Sequence, residues 1–163
     1  MPVQASGPQD SVSSAESDVQ ALYRQVLDSW NRRKAADFAG LFSIDGQTVG
    51  FDGSSYNGRT QIESALSQIF AHHQTPAYVA IVRGVRFLTT EVAVLSAVAG
   101  MVPPGQSDLN PAVNAIQTLV ALKEHDRWRI ALFQNTPAAF HGRPELSEQL
   151  TAELRQAHRM RTP

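Results

Sequence analysis

The chain has 163 residues, a formal net charge of −1 and an apolar fraction of 42%. A charge this close to zero gives no electrostatic basis for binding nucleic acid or an anionic membrane. The absence of cysteine excludes disulfides, thiol catalysis and thiolate metal sites. The N-terminus lacks the basic start and apolar centre of a secretory signal, and no apolar run approaches the about 20 residues that a membrane span needs. We therefore expect a soluble, cytoplasmic protein.

The composition along the chain predicts one domain between two tails. Residues 1–16 are rich in Pro, Ser, Gln and Gly and have almost nothing to bury, which predicts a disordered N-terminal tail. Residues 17–155 carry the apolar periodicity of a single domain. Residues 156–163 are basic, and we expect them to form a frayed C-terminal tail.

The first predicted element is a long helix that begins at Ser17, which has a capping-box spacing to Gln20. Apolar residues recur three and four positions apart as far as Trp30 and form one stripe. A short helix over 37–42 and a strand over 46–52 are predicted to follow.

The next elements are a third helix and two long strands. Thr60 offers a second capping box for a helix that runs to about residue 73, and Pro76 prevents its continuation. Strands are predicted over 77–87 and 91–101. A final helix is predicted to begin near Arg143.

Between these strands and the final helix, the sequence predicts a hairpin of two strands, over 112–123 and 128–135, joined by a tight turn. Both faces of both strands are largely apolar, which indicates that each face is covered. The exceptions are four amides that need partners or a ligand: Asn114, Gln117, Gln134 and Asn135. Strand parity puts Asn114 and Gln117 on opposite faces, and it separates Gln134 from Asn135 in the same way.

The order of elements predicts the fold class. Helices come first and strands later, which favours an α+β fold with a mostly antiparallel sheet over βαβ winding. A strongly curved sheet wrapped around the long first helix encloses a pocket. The apolar strand faces left over after the pocket is lined predict a homodimer.

Two features of the sequence, the order of its elements and an apolar first helix that ends in Trp30-Asn31, resemble one known superfamily. This is the nuclear-transport-factor-2-like (NTF2-like), or SnoaL-like, superfamily. The segments FDGSSYNGRTQI, GQSDLNPAVNAIQTLVALKE and RWRIALFQNTPAAFHGRPE resemble the SgcJ/EcaC group. The resemblance implies a cone-shaped, cystatin-like α+β fold. Labels in that group include oxidoreductase, but the sequence has no redox-cofactor motif, and we predict no cofactor.

Asp52 is the first catalytic candidate, because an acid near the end of the first strand abstracts a proton in ketosteroid isomerase and its cyclase relatives. A carboxylate at the mouth of an apolar cavity has a raised pKa, which improves it as a base. The alternative is that Asp52-Gly53 simply forms a turn.

Three further residues are candidates for the same chemistry. Gln117 or Gln134 would hold a developing oxyanion, and His141 would act as an acid or base or would anchor the final helix. Asn114 and Asn135 would orient a ligand, unless they satisfy backbone groups or dimer contacts. No histidine spacing resembles a metal site, so no metal is predicted.

Aromatic side chains suit a pocket for a flat apolar or aromatic molecule, although such residues also simply fill cores. The predicted ligand-binding aromatics are Tyr23, Trp30, Phe42, Phe51 and Phe70. The functional prediction is a small-molecule pocket protein, a tailoring or accessory factor for polyketide-type metabolites that acts by cofactor-independent cyclisation, isomerisation or dehydration. The alternatives are a non-catalytic ligand-binding module and a structural dimerisation domain.

Overall fold

The structure, a computed structural model, describes residues 7–161 apart from the side chain of Asp10. A short 3₁₀ turn, Pro111–Val113, precedes the last two strands. The helices and strands in chain order are α1 (Pro8–Asn31), α2 (Ala35–Gly40), β1 (Phe42–Val49), β2 (Ser55–Asn57), α3 (Arg59–His72), β3 (Ala77–Thr89), β4 (Val92–Val102), β5 (Ala115–Glu124), β6 (Arg127–Pro137) and α4 (Pro144–Arg161).

The strands form one six-stranded sheet in the order β2-β1-β6-β5-β4-β3. Every neighbouring pair is antiparallel except β1 and β6, which are parallel. The predicted α+β class with a mostly antiparallel sheet is confirmed. Strand β2 was not predicted, because its three residues lie within a stretch of Gly, Ser and Asn that reads as a turn.

The sheet is apolar on both faces because helices pack on both. On the inner face, side chains such as Leu95 and Leu119 form the main core with Val26 of α1. On the outer face, Val98 packs with Leu154 of α4 in a second cluster. The strands are therefore apolar on both faces because α1 packs on one face and α4 on the other.

The first helix begins earlier than predicted. Residues 8–16, assigned to a disordered tail, form the first turns of α1, with Pro8 at the favourable first helical position. Ser17 lies inside the helix instead of capping it. These turns are largely exposed, so their polar composition fits a solvated helix as well as a tail. The rest of the predicted tail, residues 1–6, lies outside the described residues.

The last helix also continues beyond its predicted end, to Arg161. Arg155 holds it to the loop before the 3₁₀ turn, because its Nε and Nη2 atoms each lie 3.0 Å from a carboxylate oxygen of Asp108. A bidentate pair of this kind fixes geometry well, and it connects the helical residues predicted as a tail to that loop. Residues 162–163 of the predicted tail lie outside the described residues.

Candidate functional site

A chain of buried hydrogen bonds crosses the inner face of the sheet. The Tyr23 hydroxyl donates to Oε1 of Gln117 (2.5 Å), and Nε2 of Gln117 donates to Oδ1 of Asn135 (2.8 Å). Nδ2 of Asn135 then donates to the carbonyl oxygen of Val49 (3.3 Å). The chain links α1 to β5, β6 and β1, so it joins the first helix to the middle of the sheet.

The strand register brings the two amides together. Gln117 and Asn135 are directly opposite each other in the β5–β6 ladder, where cross-strand side chains are in contact. Gln117 is fully buried, and a buried amide needs partners for both its oxygen and its nitrogen. Tyr23 satisfies the oxygen and Asn135 takes up the nitrogen, so the orientation of both amides is set.

Burial keeps the tyrosine of this chain neutral. Desolvation raises the pKa of Tyr23 far above its ordinary value, the nearby Tyr78 hydroxyl raises it further, and the Arg161 guanidinium opposes them. Burial also raises the pKa of Tyr78. Tyr23 is therefore a hydrogen-bond donor throughout the physiological pH range.

A cavity of about 60 Å³ lies at the end of this series of hydrogen bonds, next to Asn135. Since one water occupies about 30 Å³ in the liquid, it has room for roughly two water molecules. Among residues 7–161, those that form its wall include no carboxylate and no imidazole. The lining residues are Trp30, Phe38, Thr48, Gly50, Tyr56, Leu66, Tyr78, Phe133 and Asn135.

The cavity is small because aromatic rings fill the space that the curved sheet encloses. The Trp30 ring lies 5.3 Å from Phe70 and 5.5 Å from Tyr78, measured between ring centroids. The Trp30 indole is held in place by a hydrogen bond from Nε1 to the carbonyl oxygen of Pro76 (2.9 Å). These side chains form a packed aromatic cluster beside the cavity.

The predicted aromatic ligand set is only partly at the cavity. Trp30 lines it. Tyr23 does not line it but is connected to Asn135 by the hydrogen bonds through Gln117. Phe42 is fully buried in the core, and Phe70 supports Trp30 from behind. Phe51 is exposed in the turn after β1.

A larger open groove of about 680 Å³ lies between α1 and β3. Tyr78 borders both the groove and the small cavity. The lining residues are Gln20, Tyr23, Arg24, Gln25, Leu27, Asp28, Asn31, Tyr78, Ala80, Val82 and Arg161.

Asp52 is exposed and bound within its own turn. Its Oδ1 accepts a hydrogen bond from the backbone N–H of Ser54 (2.9 Å). That bond is the main reason why the pKa of Asp52 lies below its usual value. The expectation of a raised pKa is therefore wrong, and the turn alternative matches the structure. Asp52 is nonetheless close to Gly50, a cavity-lining residue.

The other three site candidates lie away from the cavity. Gln134 is exposed, on the strand face opposite to Asn135, as strand parity predicts. Asn114 is buried beneath α4, where its Nδ2 donates to Oγ1 of Thr151 (2.9 Å). His141 is exposed in the turn before α4.

Sequence reasoning did not single out three polar cavity residues. Thr48 bonds the Phe133 carbonyl oxygen (3.0 Å), and the hydroxyls of Tyr56 and Tyr78 have no hydrogen-bond partner among the residues that the structure describes. The available signal was the parity of β1, which turns Thr48 inward. Tyr56 belongs to the short strand β2, which was not predicted.

Neither a metal site nor a membrane span is found in the described part of the chain. Within residues 7–161, no three His, Cys, Asp or Glu side chains are grouped to hold a metal ion. The helices of the same residues include none long and apolar enough to cross a membrane.

Because Tyr23 is buried, we expect the unfolding free energy of the protein to depend on pH in the range where tyrosine deprotonates. Because the folded-state pKa of Tyr23 is raised, its contribution to stability is present below the ordinary tyrosine pKa of about 10 and is lost as the pH rises above it. Urea unfolding would be measured for the native protein and for Tyr23→Phe between about pH 9 and pH 11. We expect the unfolding free energy to fall less steeply with pH in Tyr23→Phe, by up to about 1.4 kcal/mol per pH unit. Equal slopes in the two proteins would contradict this account.

No protein-family model matches the chain, and no curated protein matches it significantly. Solved structures do match. A domain of unknown function with a cystatin-like fold from Nostoc punctiforme is 26% identical, with a TM-score of 0.72 over 88% of this chain and 90% of that one.

Two solved structures of lower sequence identity also match the fold of this chain. An NTF2-like protein of unknown function from Shewanella oneidensis is 15% identical, with a TM-score of 0.61 over 74% of this chain and 97% of that one. A ketosteroid isomerase-like protein from Erwinia carotovora is 12% identical, with a TM-score of 0.59 over 75% and 95%. These solved structures confirm the predicted cystatin-like, NTF2-like fold.

Proposed function

We propose that this protein binds a small apolar or aromatic molecule without chemical conversion, and that the inner cavity is its ligand site. The observation that carries the proposal is the orientation of Asn135. One N–H of its amide is used by Val49, and an amide nitrogen has two N–H groups. The second is available to an acceptor in the cavity, such as a ligand carbonyl oxygen.

The cavity must enlarge to hold such a ligand. Pockets for drug-sized ligands have volumes of about 300–1,000 Å³, whereas this one has about 60 Å³. Tyr78 lines both this cavity and the larger groove, and its ring packs against Trp30. Rotation of this ring towards the groove would join the two spaces.

Binding is favoured over catalysis because no carboxylate, imidazole or amine that could act as a general base lines the cavity in the part of the chain that the structure describes. The alternative, which the resemblance to ketosteroid isomerase and the SgcJ/EcaC group suggests, is proton transfer by Asp52 with Gln117 holding an oxyanion. It draws support from the position of Asp52 beside Gly50. It requires Asp52 to leave its hydrogen bond with Ser54 and acquire a higher pKa. A role in polyketide-type metabolism and a cytoplasmic location remain predictions.

The binding proposal predicts saturable quenching of Trp30 fluorescence by 1-tetralone, a bicyclic aromatic ketone. The chain has two tryptophans, so Trp128→Phe leaves Trp30 as the only indole. In that background, Asn135→Leu removes the donor and should weaken binding about fivefold, since one hydrogen bond contributes about 1 kcal/mol.

Gln134→Leu is the matched control, because it makes the same change one residue earlier on the opposite strand face and should leave affinity unchanged. Both variants are first checked for cooperative thermal unfolding. Equal affinity in the two variants contradicts the role of Asn135. Absence of saturable quenching contradicts the binding function and favours the structural dimerisation alternative.

We also propose that the protein is a homodimer through the outer face of the sheet. Val94, Val120 and Leu132 are directly opposite one another on β4, β5 and β6. They form a partly exposed apolar row on that face, outside the cluster that α4 covers. Contiguous apolar patches of this kind mark association surfaces.

Light scattering at micromolar concentration should therefore show a dimer for the native chain and a monomer for Val120→Lys. A lysine at the centre of the row would lose water on association without gaining a partner. Met160→Lys, at an exposed position on α4, is the control and should remain dimeric. A monomeric native chain contradicts the proposal.

A further inference from the structure

Strand β3 is an edge of the sheet, and part of that edge is open. Order β2-β1-β6-β5-β4-β3 leaves β3 with a neighbour on one side only. At Tyr78 the free side is closed by Asn31, whose Oδ1 accepts from the Tyr78 N–H (2.8 Å) and whose Nδ2 donates to the Tyr78 carbonyl oxygen (3.3 Å). Both backbone groups of Tyr78 therefore point away from β4.

The same orientation must recur two residues further along the strand. In an antiparallel pair, residues alternate between bonding the neighbour and facing away from it. Ala80 and Val82, paired with Ala99 and Ala97, therefore also direct their N–H and C=O groups to the free edge. No side chain and no backbone outside the sheet, within residues 7–161, bonds these four groups. A register shift after Val82 ends the regular run.

The open edge forms one side of the groove. Helix α1 runs antiparallel to β3, since Asn31 meets Tyr78 at one end and Ala15 lies beside Phe87 at the other. Between these points the groove is bordered by α1 and by Ala80 and Val82, with a volume of about 680 Å³. Its volume and its open backbone groups suit an extended chain lying beside β3.

The unpaired charge in this groove is positive. Arg24 has only a long hydrogen bond to Gln20 (3.3 Å), and Arg161 forms no ion pair within the described residues. The one carboxylate, that of Asp28, is already bound to Arg32 at 2.8 Å. Arg161 lines the groove together with Tyr23, and its positive charge lowers the pKa of Tyr23.

We propose that the groove docks an extended acidic segment of a partner protein, which adds a strand to β3. The segment pairs with the backbone of Ala80 and Val82 and places carboxylates beside Arg24 and Arg161. Strand addition uses main-chain hydrogen bonds for affinity and side-chain sites for selectivity. Proteins commonly protect open edges with charge, proline or a covering element, but among the described residues nothing bonds the edge-facing backbone groups of Ala80 and Val82.

The test measures binding of a fluorescein-labelled peptide of alternating glutamate and valine by fluorescence anisotropy with the full chain. Two matched peptides carry lysine for each glutamate, or N-methyl groups on alternate residues that block strand pairing. We expect the acidic peptide to bind saturably and each matched peptide to bind at least tenfold more weakly. Equal binding of either matched peptide, or no binding of the acidic one, overturns the proposal.

Protein variants locate the site. Arg161→Glu should weaken binding at least tenfold, whereas Arg159→Glu, an exposed change on the same helix that lies outside the groove lining, should not. Val82→Pro removes an edge N–H without removing a bond to β4 and should abolish binding, with Val82→Ala as its control. If Val82→Pro instead abolishes self-association of the native chain, the occupant is a second copy and the proposed acidic partner is wrong.

Discussion

The buried amide of Gln117 is the constraint on which the interior depends. It lies on the inner face of a central strand with no access to water, so each of its polar atoms needs a protein partner. Satisfying the oxygen requires Tyr23, and therefore fixes how α1 lies against the sheet. Satisfying the nitrogen requires Asn135, and therefore depends on the register of β5 with β6.

The same hydrogen-bond chain reaches the candidate site. It ends at the cavity, where Asn135 lies among aromatic residues. Beside the rings of Trp30, Phe38 and Phe133, the cavity wall thus contains the amide of Asn135 and three hydroxyl-bearing residues, Thr48, Tyr56 and Tyr78. This arrangement suits recognition of a single acceptor atom better than proton abstraction, because the nearest predicted base is held by its own turn. The curved sheet encloses the interior space, and the side chains that fill this space determine which polar groups could contact a ligand.

Much of the fold was predictable from periodicity, and the exceptions have physical causes. The period of two in strands correctly separated Asn114 from Gln117, and the helical stripe identified α1. The start of α1 at Pro8 was missed because exposed helical turns need no apolar stripe. The cavity volume was not predictable, since it depends on how rings such as Trp30 pack in three dimensions.

Contacts between distant parts of the chain limited prediction of the site. Tyr23 and Gln117 are 94 residues apart, and nothing in either local pattern indicates that they meet. Asp52 was interpreted through a resemblance, while the local Asp-Gly-Ser turn chemistry determined its conformation. Of the four amides predicted to be buried, Asn114, Gln117 and Asn135 are buried, whereas Gln134 is exposed. The prediction that buried amides need partners led to Gln117 and Asn135, which are bonded to each other beside the candidate site.

The central claim is that Tyr23 and Gln117 are mutual partners, and a double-mutant cycle tests it most directly. Tyr23→Phe, Gln117→Leu and the double variant would be compared by urea unfolding. Because each single change leaves a buried polar atom without its partner, we expect the two effects to be non-additive, with a coupling free energy of about 1 kcal/mol or more. Additivity within about 0.3–0.5 kcal/mol would contradict the account.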